Sequence, residues 1–224
     1  MTQTIDTVLK ILKWPFAVFA VLLLPGALWV LAQMAVQLAA HPWQFGPFLG
    51  GTVGYFVAWR TFFRKRAWGS MMSTLEHELT HALFGILTFR MIRNLNITWS
   101  EGGHVTFPGR VNWLILIAPY WFPTISVFFV LIMGFLDPSL MTQAEVFLGV
   151  TVSYHLTSTW VETHTGQSDL ARAGFPFCWC ILPFLNVWAY GSLLAFVVGG
   201  PGEAMEFSTH VFGRSTEIIQ AMIG

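Results

Sequence analysis

The sharpest chemical signal in this chain is five residues long: His77-Glu78-Leu79-Thr80-His81. On an α-helix, positions i and i+4 stand one turn apart on the same face. Two imidazoles placed that way can share one Zn²⁺, and His-Glu-x-x-His is the spacing that achieves it. Glu78 follows the first ligand, so it lies close to the metal without needing to bind it. A general base acting on a zinc-bound water belongs there. Between Met72 and Phe89 only Gly85 weakens a helix, and Leu75, Leu79, Ala82, Leu83 and Ile86 are good apolar positions for one. Five residues can also match a pattern by accident, and isolated histidines are often hydrogen-bonded core residues. The setting favours chemistry: the 224 residues include only 11 Lys+Arg, 11 Asp+Glu and 7 His. In so apolar a chain, ionisable groups at membrane depth are costly and mark function.

The elements that must position this motif follow from composition. The chain is 55% hydrophobic, 16% aromatic and 10% charged, with a mean hydropathy of +0.63, against about 25% charged residues in soluble domains. A core of this size cannot absorb so much apolar surface, so the bilayer is the expected solvent. A formal net charge of zero gives no argument for nucleic acid or an acidic partner. Cys178 and Cys180 alternate within an apolar run, a spacing that rarely satisfies disulfide geometry, and they read as small membrane hydrophobes. No cleavable leader is expected, because the apolar run after Lys10 and Lys13 is long enough to span and stay.

The expected architecture is an all-α polytopic membrane protein of about six apolar helices, with a small membrane-associated β-hairpin. The apolar runs cover 14–36, 47–63, the motif helix from about Gly69, 111–136, 146–161 and 175–199. Pro25-Gly26 interrupts the first, Pro119 and Pro123 predict a kink in the fourth, and Gly50, Gly51 and Gly54 invite close helix approach in the second. The alternating stretches Asn94 to Trp99 and His104 to Phe107 around Gly102-Gly103 predict the hairpin. His104 reads as a surface histidine beside that turn rather than a ligand. The tail 204–223 reads as a mildly amphipathic surface helix. Three regions result: 1–69, N-terminal helices and a basic loop; 70–199, the core carrying the motif; and 200–224, the tail. By the positive-inside tendency, Arg64-Lys65-Arg66 marks the cytoplasmic side. The metal would then lie roughly 12 Å inside that face, at 1.5 Å per residue. The expected location is a multi-pass protein of a bacterial inner (cell) membrane.

A catalytic zinc needs a third protein ligand and one open position. No Glu or His follows His81 at short spacing, so the ligand comes from elsewhere. The residue types leave His155, Glu162, His164 and Asp169 as candidates. HELTHALFG on an apolar helix, the polar GGHV stretch and a later carboxylate near a helix end together resemble the site-2 protease family of intramembrane zinc metalloproteases. The resemblance covers roughly residues 70–199, and its specific part is His-Glu-x-x-His. It implies a zinc held by His77, His81 and Asp169, with Glu78 catalytic. The family's aspartate usually stands in Leu-Asp-Gly, whereas this chain has Gln167-Ser168-Asp169-Leu170. His155, near mid-membrane, is the alternative ligand.

The resemblance implies hydrolysis of a peptide bond in or near a transmembrane segment of a membrane-protein or membrane-anchored peptide substrate. Such a helix must partly unwind before its carbonyls are free, and the hairpin edge offers it a strand to pair with. Asn112, Gln167 and Asn186 are polar groups available to an oxyanion. The rival expectation is a non-catalytic membrane subunit with a structural or vestigial metal site. A transporter using His and Glu as a relay is a further alternative, although the chain lacks matching halves with paired broken helices.

Overall fold

In the computed structural model, the described residues are 1–63, 67–98 and 102–224. The basic cluster Arg64-Lys65-Arg66, on which the sidedness expectation rests, lies outside the described residues, as does the hairpin connection 99–101. The described residues are mostly helical, with one two-stranded antiparallel sheet. The helices are α1 (Thr2–Ala40), α2 (Gly46–Ala58), α3 (Ala67–Leu87), α4 (Trp113–Ile117), α5 (Thr124–Met133), α6 (Met141–Glu162), α7 (Ser168–Ala173) and α8 (Phe175–Ile223). The strands are β1 (Asn94–Thr98) and β2 (Gly102–Thr106), in the register Asn96 opposite His104.

Among the described residues, two helices, α1 and α8, are long and apolar enough to cross a membrane. At 1.5 Å per residue α1 is about 58 Å long, more than the roughly 30 Å of a hydrocarbon core. Pro25-Gly26 does not break it, and the polar lead 1–13 continues the same helix. Phe16, Val18, Phe19, Val21, Leu22, Leu28 and Trp29 stand exposed along it. An apolar face of that extent is foreign to a water-facing protein and natural against lipid. The run 111–136 is sharply bent: α4 and α5 meet at 76° across the segment around Pro119 and Pro123. A pair so bent is either a broken span or a re-entrant loop.

The expected surface tail is instead part of the core. Gly200, at φ 74°, takes a left-handed conformation that other residues avoid, and it separates α8 into limbs 175–199 and 201–223. Trp188 Nε1 donates to Ser208 Oγ at 3.0 Å across twenty residues, which a straight helix could not allow. The second limb therefore folds back on the first. Phe207, Val211 and Ser215 are buried, and Ser215 Oγ donates to the Leu23 carbonyl of α1 at 3.2 Å. Amphipathic patterning finds an apolar face, but it cannot say whether lipid or protein covers it.

Two clusters form the interior. One joins α1, α4, α7 and α8 through Ala20, Ile117, Leu170, Ile181 and Phe207. The other joins α2, α5, α6 and α8 through Phe48, Leu148, Val152 and Leu193. Helices α2 and α6 touch backbone to backbone. A Cβ on Gly51 would meet the Val146 carbonyl oxygen at 2.0 Å, and one on Gly149 would meet that of Phe48 at 2.1 Å. Gly50 contributes nothing to this contact, because a Cβ there would meet open space.

Candidate metal centre

His77 and His81 come from α3, in which no glycine or proline stands between Ser70 and Phe84. Gly85 is accommodated because Phe107, just beyond β2, packs where its side chain would be. Asp169 comes from the first turn of α7, where a negative charge suits the helix dipole. That short helix is held in place by Leu170 and Ala173, both almost fully buried, and by Lys13 Nζ, which donates to the Ala173 carbonyl at 2.7 Å. Its own hydrophobic residues thus present Asp169 to α3.

The three side chains converge. One ligand atom from each of His77, His81 and Asp169 lies within 4.8 Å of the other two. Asp169 Oδ2 is 3.2 Å from His81 Nε2 and 3.7 Å from His77 Nε2. The opposite edge of each ring is occupied. His77 Nδ1 is 2.9 Å from Glu162 Oε2, and His81 Nδ1 is 2.8 Å from the Ile115 carbonyl oxygen. A carboxylate and a carbonyl only accept, so Nδ1 of each ring carries the proton and donates. In the neutral imidazoles both Nε2 atoms are then bare lone pairs, facing a third acceptor, the Asp169 carboxylate. Such an arrangement calls for positive charge at its centre, which protonation of the rings supplies in the absence of metal and a divalent cation supplies when bound. The donor set, two imidazoles and a carboxylate, suits zinc.

Asp169 lies outside the apolar spans. Arg172 Nη1 is 3.5 Å from Asp169 Oδ1, the oxygen turned away from the histidines. Tyr120 closes the site from the α4–α5 bend. Its ring stands perpendicular to His77 at 5.3 Å, and its fully buried hydroxyl has no hydrogen-bond partner among the described residues.

Glu78 is buried, and its Oε2 accepts from the Val105 amide of β2 at 2.7 Å. The strand comes this close because position 103 is glycine. A Cβ there would lie 2.7 Å from Thr74 Cγ2 and 2.9 Å from Glu78 Cγ. A cavity of about 390 Å³ lies between the hairpin and the cluster, and Glu78, His81, Asp169, Arg172, Gly103 and Val105 all contribute to its wall. His104 also lines it but is no part of the ligand cluster.

The other candidates lie elsewhere. His155 bonds Tyr190 Oη at 2.7 Å within the helix bundle. His164 is on the exposed turn before α7, accepting from the Gly166 amide. Glu162 sits behind His77 rather than among the converging atoms. Asn112 caps α4 through the Ile115 amide and donates to Asp6 Oδ1, while Asn186 donates to the carbonyls of Tyr120 and Leu182. Gln167 only precedes α7, as its N-cap residue. None of these three lines the cavity.

Sequence reasoning missed the Glu162 bond to His77, the Ile115 carbonyl, the Val105 amide and Tyr120. The polar island 162–172 was the one signal available for Glu162. Comparisons of the chain with known protein families, with curated proteins and with solved structures found no match.

Proposed function

We propose that this protein is an intramembrane zinc metalloprotease, resembling the site-2 proteases, with His77, His81 and Asp169 as the metal ligands and Glu78 as general base. The observation that carries the reading is the convergence of two imidazole nitrogens and a carboxylate beside a cavity that Glu78 also lines. Zinc bound there supplies Lewis acidity, which lowers the pKa of a coordinated water toward about 7 and polarises a carbonyl. Glu78 takes a proton from the attacking water and returns it to the leaving amine. Its bond to the Val105 amide fixes the carboxylate's direction and ties it to the hairpin. An unwound substrate segment, its carbonyls freed from helical bonds, lies along the cavity beside β2. The expected partner is therefore a membrane protein or membrane-anchored peptide.

We also propose a multi-pass arrangement of about six helices. The reversal at Gly200 and the broken pair α4–α5 support more crossings than α1 and α8 alone.

One observation favours a second reading, a non-catalytic subunit with a structural metal site: the Glu78 carboxylate is already engaged by a backbone amide. Zinc content and cleavage of a reconstituted helical membrane peptide separate the two. The protease reading expects about one zinc per chain, lost in His77→Ala, His81→Ala and Asp169→Ala. It expects Glu78→Gln to keep zinc and lose cleavage by roughly 10²–10⁴-fold. Zinc-free wild type overturns both readings. Zinc-loaded wild type that cleaves no helical membrane peptide selects the structural site, and undiminished cleavage by Glu78→Gln removes Glu78 from the chemistry.

A further inference from the structure

Glu162 ends α6, 85 residues from His77, and meets it on the ring edge opposite the metal cluster. Its two oxygens have different partners. Oε2 faces His77 Nδ1 at 2.9 Å, and Oε1 accepts from Ser158 Oγ at 3.1 Å and from the Ser73 hydroxyl. The two serine hydroxyls are themselves 2.7 Å apart and belong to α6 and α3. The carboxylate is thus fixed from both helices at once, and the side chains of Glu162 and His77 are only 20% and 13% exposed. No other carboxylate bonds Nδ1 of either motif histidine among the described residues; His81 has a backbone carbonyl in that place.

We propose that Glu162 is a positioning residue for His77, resting on the reading of His77, His81 and Asp169 as a zinc site. As an acceptor only, it obliges Nδ1 to hold the proton and leaves the Nε2 lone pair aimed at the cluster. It also raises the basicity of the ring, as carboxylates behind metal-bound histidines do. Ser73 and Ser158 hold the carboxylate still, so the rotamer of His77 is set before any metal arrives. Of the two histidines, His77 is the one whose ligand strength is set by a side chain and can be changed by mutation.

The test uses full-length protein in detergent, with Zn²⁺ affinity measured by competition against a chromophoric chelator and Co²⁺ absorption as a report on the ligand set. Glu162→Ala is expected to weaken Zn²⁺ binding by roughly 10–100-fold while leaving the cobalt band pattern of the wild type. Glu162→Gln, whose amide oxygen still accepts from Nδ1, is expected to recover most of that loss. Ser158→Ala keeps the carboxylate and removes one of the two hydroxyls that hold Oε1, and it is expected to weaken binding measurably relative to wild type and by less than Glu162→Ala. This milder variant serves if Glu162→Ala does not fold. Wild-type affinity in both Glu162 variants overturns the inference while leaving the zinc site intact. A cobalt spectrum altered in Glu162→Ala as it is in Asp169→Ala makes Glu162 a ligand, which also overturns it. Wild type that binds neither metal overturns the underlying reading of the site instead.

Discussion

His81 and His155 are buried almost equally, 5% and 2% exposed, each on a long helix of the same bundle. Their surroundings differ in kind. His155 Nδ1 meets a tyrosine hydroxyl at 2.7 Å, with Thr159 Oγ1 at 3.5 Å. A hydroxyl can donate or accept, so a neutral ring with one N–H and one lone pair is matched there. His81 lies between the Ile115 carbonyl and the Asp169 carboxylate, with Nε2 of His77 nearby. Acceptors outnumber donors around it, and positive charge is needed to balance them, either on the ring or on a bound cation. Burial alone does not distinguish a ligand from a packing histidine; the polarity of the partners does.

The strongest way to break this comparison is to remove one partner from each environment. Asp169→Ala is expected to abolish stoichiometric zinc while the protein stays folded, since Leu170 and Ala173 rather than Asp169 anchor α7 in the interior. His155→Ala is expected to keep the metal and lower the melting temperature, because it empties a buried, hydrogen-bonded position. Metal analysis and thermal unfolding on the same preparations check both. Zinc lost in His155→Ala and kept in Asp169→Ala would reverse the assignment.

A smaller effect sharpens the role of the hairpin. Gly103→Ala places a Cβ against Thr74 and Glu78, so β2 must move and take the Val105 amide with it. Misplacement of about 1 Å costs a catalytic group on the order of 10²-fold. The variant should therefore lose cleavage to about that extent while zinc content stays at the wild-type level. Unchanged cleavage would show that the hairpin does not orient Glu78.

Much of this was legible in the sequence, and for local reasons. His77 and His81 are one helical turn apart, and the hairpin follows strict alternation, so both follow from neighbouring residues. The third member of the cluster was readable only as a short set, because Asp169 reaches the two histidines through Leu170 and Ala173 packing on α4 and α8. Nothing local says which polar residue of 155–169 that packing will turn inward. The partners of Nδ1 were illegible for the same reason: Glu162 is 85 residues from His77, and the Ile115 carbonyl is backbone that every residue carries. The return of α8 was hidden because Gly200-Pro201 reads equally well as the end of a helix or as a reversal between two.

The smallest expected effect comes from the matched side of the comparison. Tyr190→Phe removes the hydroxyl 2.7 Å from His155 Nδ1 and leaves the ring packed as before. Losing one partner of a buried hydrogen bond costs about 1–3 kcal/mol. Thr159 Oγ1, 3.5 Å from both ring nitrogens, is placed to take over part of the bond, which puts the cost toward the lower end. The expected result is a modest fall in melting temperature in detergent, with zinc content and affinity unchanged. A Tyr190→Phe protein that lost zinc would show that the two histidine environments are coupled through the bundle, and that the polar interior around His155 supports the metal centre as well as the fold.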